Sequence, residues 1–229
     1  MSADTAPPNE AVKTMRCVNC IPERLAQSDK EFMGGDPGKT WRYLENLAWI
    51  RDADIGNFCY RVSPREVSLT VREERDHFRI YLFDMGLLIS RYVDLVRNAV
   101  ATGESCTYSG AIVENVVAEC MVKCGITPRY FSKNKGNSKM ELDFVAEIGR
   151  DLVVIEVKSG NGREAPSLSN VPSVFKVDRR VMFEYTNIRI SDDGVEHYQL
   201  YAAAFMDSMA DSIDLDNLIW TEPLDFDMV

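Results

Sequence analysis

The chain has 229 residues, 45% of them hydrophobic and 27% charged, with a net charge of −10. That is the composition of an ordinary globular protein, with room for one large domain or two small ones and a core that needs no cross-links. No apolar run approaches the roughly 18 residues of a membrane span, and the polar N-terminus (MSADTAPPNEAVKTMR) does not read as an export signal. No membrane partner is therefore expected, and the expected compartment is the cytoplasm.

Residues 1–28 are low in periodic apolar content and are expected to form a flexible leader. Cys17-x-x-Cys20 has the spacing of half a zinc site, but the chain has only two histidines, and Cys120 and Cys124 stand one helical turn apart in an apolar stretch. The six cysteines are expected to be structural thiols. From 39 to about 61, Trp41, Leu44, Leu47, Ala48 and Ile50 have helical spacing, and Gly56 ends the segment. The run GGDPGKT (34–40) imitates a phosphate loop, yet the pattern needs glycine where Met33 stands and no hydrophobic strand precedes it, so no nucleotide binding is expected. A charged stretch (VREERDHF) and an apolar one (IYLFDMGLLISRYVDLV) complete a section, 29–107, expected to be mostly helical with room for a short hairpin.

Between 110 and 124, Ile112, Val113, Val116, Val117, Cys120 and Cys124 form one helical stripe with Glu114 at its edge, and Gly125 and Pro128 supply the stop. Strands are expected around 128–132, 141–148, 151–158 and 187–191, a helix over about 167–179, and a last strand or helix over 197–206. This is an α/β order without internal repeats. Charge is unevenly spread: residues 206–229 hold seven acidic and no basic side chains, leaving −3 on the first 205 residues, whereas Lys123, Arg129, Lys133, Lys135 and Lys139 are unopposed. The basic loop is a candidate contact for a polyanion, and the acidic tail (207–229) a candidate cover for it.

The text ELDFVAEIGRDLVVIEVKSG reads as two strands meeting at Gly149-Arg150. With those two residues as the turn, Ile148 faces Asp151, Asp143 faces Glu156 and Glu141 faces Lys158. Leu142, Phe144 and Ala146 then share an apolar face with Val153, Ile155 and Val157, and the other face is mixed. Directly opposed carboxylates, with Cβ atoms about 5 Å apart, repel unless a cation lies between them. A hard divalent ion such as Mg²⁺ suits oxygen donors and can activate water against a phosphodiester, with Lys158 placed to help. The competing reading is a surface face carrying an ordinary Glu141–Lys158 pair.

D143-x12-E156-V157-K158 resembles the core motif of the PD-(D/E)XK nuclease superfamily, with Leu142 in place of its usual proline. YLFDMGLL, GAIVENVVAE, ELDFV, IEVKSG and SLSN also resemble the domain of unknown function found C-terminal to the ATPase module of archaeal and bacterial AAA+ ATPases, over about residues 39–206. That resemblance implies a restriction-endonuclease-like α/β core, 108–206, with a central mixed sheet flanked by helices, preceded by a winged-helix-like segment, 29–107. It implies Asp143 and Glu156 as ligands of Mg²⁺ or Mn²⁺ together with the Val157 backbone carbonyl, Lys158 as the catalytic lysine, and Glu114 as an auxiliary ligand. Arg129, Lys133, Lys135 and Lys139 become candidate nucleic-acid contacts. The expected function is metal-dependent cleavage of DNA. The alternative is a silent nuclease-fold module that binds DNA or a protein partner in an ATPase-type system. His77 and His197 have no catalytic spacing and are expected at the surface or as capping residues.

Overall fold

Residues expected to be a loose leader open the fold instead, as the 18-residue helix Pro8–Leu25 (α1). Cys17, Val18, Ile21 and Leu25 lie on one stripe and are buried. They recur at helical spacing only in the second half of the helix, behind a polar first half, which hides the period. The structure, a computed structural model, describes residues 8–32, 43–64, 68–135, 138–160, 166–174 and 176–210, and of residues 8, 9, 134, 135, 138, 139 and 210 the backbone only. The phosphate-loop look-alike at 34–40 and the tail beyond 210 lie outside the described residues.

After α1 come α2 (Leu44–Asp52), β1 (Gly56–Val62), α3 (Leu69–Arg72), β2 (Glu73–Leu82), α4 (Met85–Ser90), α5 (Asp94–Thr102) and α6 (Ser109–Lys123). Then follow β3 (Arg129–Lys135), β4 (Ser138–Ile148), β5 (Asp151–Val157), α7 (Pro166–Asn170), β6 (Arg179–Glu184), β7 (Arg189–Ile190) and β8 (Glu196–Gln199). A 3₁₀ stretch, Val171–Ser173, follows α7, and another, Leu200–Ala210, broken by a kink at Phe205, follows β8. The strands make one mixed eight-stranded sheet in the order β2-β1-β3-β4-β5-β6-β8-β7, with helices on its faces.

A domain border at 107/108 is not what the chain builds. β1 and β2 pair antiparallel, from Gly56–Leu82 onward, and β1 continues the same sheet by pairing parallel with β3 at Tyr60–Arg129 and Arg61–Tyr130. The section expected to be winged-helix-like therefore supplies two strands of the common sheet. The helices α2, α3, α4 and α5 and the hairpin that the sequence left room for all appear in this section.

Gly149 takes φ +62 as the first of two turn residues, the conformation a tight II′ hairpin asks of that position. β4 and β5 then pair from Ile148–Asp151 to Phe144–Ile155, the register expected. The faces differ from expectation. Phe144, Ala146, Ile148, Val153, Ile155 and Val157 join the larger core under α1, α2, α4 and α6. Leu142 joins the second core with Val145, Val154, Phe131, Leu168 and Val171. A register shift where β3 meets β4, between Arg129 and Phe131, breaks the alternation that would have kept Leu142 with Phe144. The face read as mixed is thus also buried, beneath α7 and the turn after it.

β2 is an edge strand, and α6 covers its end. Asn115 Oδ1 accepts from the Leu82 N–H (2.8 Å) while its Nδ2 donates to the Leu82 carbonyl (3.0 Å), standing in for a neighbouring strand.

Candidate active site

Past the Phe144–Ile155 pair the two central strands present the carboxylates. Asp143, on β4, accepts a hydrogen bond from the Val157 N–H at Oδ2 (3.0 Å), which leaves Oδ1 directed away from the strand pair. Glu156, on β5, is 7% exposed; its Oε1 pairs with Lys158 Nζ, and its Oε2 is buried with no hydrogen-bond partner among the described residues. The Lys158 N–H bonds the Phe183 carbonyl of β6 (2.9 Å), which fixes the lysine at the carboxyl end of the sheet's centre. Glu114 reaches the same place from α6 and is 6% exposed. The fold therefore brings Asp143, Glu156, Lys158 and Glu114 together. Glu141 turns the other way and pairs with Arg79 (2.5 Å) rather than with Lys158.

Burial together with the charge of Asp143 pushes the Glu156 carboxyl up to about 8, against the pull of Lys158. The same two causes push Glu114 up to about 7, although Lys30 and Arg79 favour its charged form. Ionising Glu156 and Glu114 beside Asp143 therefore has an electrostatic cost that Lys158 and Lys30 offset only in part.

Lys30 is the participant that the sequence did not signal. Its Nζ lies 2.5 Å from Glu114 Oε1 and 3.7 Å from Asp143 Oδ1. It stands 84 positions from Glu114, in a stretch without periodicity just after α1, so only the three-dimensional fold brings it in. Burial works against its charge, but Glu114 and Asp143 outweigh that and raise its pKa. Lys30 also lines a cavity of about 80 Å³ with Ser28, Arg79, Tyr130, Ser132 and Glu141. Arg79 lies over the Tyr130 ring, 4.0 Å from its centroid, and its Nε and Nη1 are buried without a hydrogen-bond partner among the described residues.

Among the described residues no three His, Cys, Asp or Glu side chains converge closely enough to hold an ion by themselves. The oxygen donors that suit a hard divalent ion are Asp143 Oδ1 and the unpartnered Glu156 Oε2, with the Val157 carbonyl nearby in sequence. Two carboxylates and bound water form a donor set natural to Mg²⁺, which keeps several waters. The orphaned Glu156 oxygen and the raised carboxyls fit such an ion.

Of the basic loop, Lys133 is exposed. Arg129 is not available to a ligand. It is 6% exposed, with Nε 2.9 Å from Glu73 Oε1 and Nη2 donating to Thr70 Oγ1. A basic residue at the start of a central strand finds its partner inside the sheet's own border, which charge counting along the chain does not reveal. The side chains of Lys135 and Lys139 lie outside the described residues. His77 bonds Glu31 Oε2 at 2.7 Å, and His197, expected at the surface or as a cap, is buried on β8 with Nδ1 2.6 Å from Glu184 Oε1. Cys17 is a core residue whose thiol burial pushes up to about 11, and Cys20 Sγ donates to the Cys17 carbonyl.

A family profile described as a domain of unknown function, DUF4143, matches residues 109–200, from the first turns of α6 to the end of β8. This span holds Glu114, Asp143, Glu156 and Lys158 but not Lys30. No curated protein matches the chain. A solved structure, the crystal structure of protein VC1899 from Vibrio cholerae, is similar over 88% of this chain and 50% of its own, at 14% identity and a TM-score of 0.31. The chain thus spans half the length of that protein, and so loose a likeness bears no weight for its fold or chemistry. No helix among the described residues is long and apolar enough to cross a membrane.

Proposed function

We propose that the chain is a metal-dependent nuclease of the PD-(D/E)XK kind, hydrolysing DNA phosphodiesters at Asp143, Glu156 and Lys158. The observation that supports it most is the buried, unpartnered Oε2 of Glu156 beside Asp143, because a carboxylate oxygen left without a donor or cation in a closed site is costly unless a ligand completes it. A bound Mg²⁺ or Mn²⁺ would supply Lewis acidity and lower the pKa of water.

The remaining work falls to side chains. Asp143 is oriented by the Val157 N–H, so its free oxygen has one direction. Lys158, tied to Glu156, is positioned to hold the attacking water through Nζ and to offset charge growing on the phosphate. Exposed Lys133, near the end of β3, suits a phosphate further along the strand.

Asp143→Asn, Glu156→Gln and Lys158→Met are each expected to reduce Mn²⁺-dependent cleavage of a DNA panel by about 10²-fold or more, with far-UV circular dichroism unchanged. Three variants that cut like the parent protein would remove these residues from the chemistry.

A second reading has its own observation. Lys30 and Lys158 already answer much of the carboxylate charge, as in a site kept for binding rather than turnover. The chain would then be an accessory module that docks DNA or a protein partner in an ATPase-type system. DNA binding that persists with no cleavage under any divalent ion, and no heat from Mn²⁺ titration, would select it.

A further inference from the structure

We infer that Lys30 is a built-in competitor for the divalent ion: an internal cation that holds Glu114 and the free oxygen of Asp143 until an ion displaces it. This rests on the metal-site reading above and adds a regulator to it.

The geometry is specific. Asp143 has two oxygens, and Oδ2 is already used by the Val157 N–H, so Oδ1 is the one left for a ligand. Lys30 Nζ lies 3.7 Å from that oxygen and 2.5 Å from Glu114 Oε1, between the two carboxylates. An ammonium in that place repels an incoming dication and withholds Glu114 from it. With Lys30 in place, the ion is left with Glu156 and a contested Asp143.

Nor is Lys30 a surface lysine that strays into the site. The backbone on its C-terminal side is pinned. Glu31 accepts from Tyr130 Oη and the His77 ring (2.7 Å each) and from Arg61 (3.1 Å). The Phe32 N–H bonds the Phe78 carbonyl of β2 (2.8 Å), and the two rings stack with centroids 6.1 Å apart. On the N-terminal side α1 is sunk in the core. Only the lysine side chain is free to withdraw, and the adjoining cavity of about 80 Å³ gives it a place to go. The competition is therefore between two positions of one side chain, with the segment that carries it fixed.

The test is calorimetric titration of the full chain with Mn²⁺, without DNA. Lys30→Met is expected to bind Mn²⁺ about tenfold more tightly than the parent protein, one decade being a modest share of the repulsion between a monovalent and a divalent cation a few ångströms apart. Lys30→Arg keeps the charge and should stay within about twofold of the parent; it also guards against a loss of folding in the methionine variant. Unchanged or weaker Mn²⁺ binding by a folded Lys30→Met overturns the competitor role while leaving the metal site standing. Loss of cleavage in Lys30→Met at unchanged Mn²⁺ affinity also overturns it, and assigns Lys30 to the substrate phosphate. No Mn²⁺ binding by either protein overturns the metal site itself, and the competitor with it.

Discussion

Glu156 shows how one residue makes the site a burden on the fold. An unfolded glutamate ionises near 4.5, whereas here burial and Asp143 hold the proton on to about 8. Between those values the folded state binds more protons than the unfolded one, so this group's contribution to stability falls as pH rises from about 4.5 to about 8. Glu114 acts in the same sense up to about 7. Glu156→Gln, which copies the protonated form, is expected to raise Tm above pH 8 by a few degrees, at about 2–4 °C per kcal/mol for a chain of this size, and to change it little near pH 4.5. Melting curves at the two pH values check this; an equal gain at both, or a loss at the higher, would show that the carboxyl is not strained in the apo protein. That Asp143, Glu156 and Lys158 lie close together could be read because they fall within sixteen positions on β4, on β5 and just past its end. Lys30 could not be read in this way, since no local pattern marks a residue whose partners stand on α6 and β4.

At the scale of elements, legibility followed how local the pattern is. The β4–β5 register could be read because side-chain alternation and a two-residue turn fix it within twenty residues. β6 was missed: its Val181, Met182 and Phe183 are all buried, as suits a strand paired parallel on both sides, so a short apolar run carried no period to identify it. The first two strands were anticipated only as room for a short hairpin, since β2 starts in the charged run Glu73–Asp76 and neither strand carries a clear two-residue alternation. One link of β2 to α6, the Asn115 amide on Leu82, can be tested alone. Asn115→Leu keeps the branched shape but leaves the Leu82 N–H and carbonyl without their partner, at about 1–3 kcal/mol for each buried group left unpaired. Urea denaturation should show a loss of about 2 kcal/mol or more with an unchanged m-value; a loss under about 0.5 kcal/mol, the usual range for a surface change, would mean that water replaces the amide.

Across the whole molecule, the β4–β5 hairpin and the β1–β2 pair are each closed by connections of modest length, whereas the parallel contact of β1 with β3 spans some seventy positions and pairs only Tyr60–Arg129 and Arg61–Tyr130. The two halves of the sheet thus meet along a seam held less by its ladder than by side chains that cross it: Arg79 to Glu141, Arg129 to Glu73, Tyr130 to Glu31, and Lys30 to Glu114 and Asp143. Glu31 faces a desolvation cost, yet hydrogen bonds from Tyr130 and His77 and the charges of His77 and Arg61 hold it below the ordinary carboxylate range. A lowered carboxyl stabilises the fold at higher pH and loses that contribution as pH falls through its folded value, the opposite sense to Glu156. Acid should therefore loosen the seam first. In hydrogen exchange below pH 4.5, where the lowered Glu31 carboxyl begins to lose its contribution, β1 and β2 amides are expected to lose protection before those of β4 and β5, and simultaneous loss would argue for one cooperative unit. Such a seam also orders assembly. Local hairpins close at small entropic cost and are expected early, and the long loop between β1 and β3 is expected to close late, when the charged pairs that join the halves come within reach.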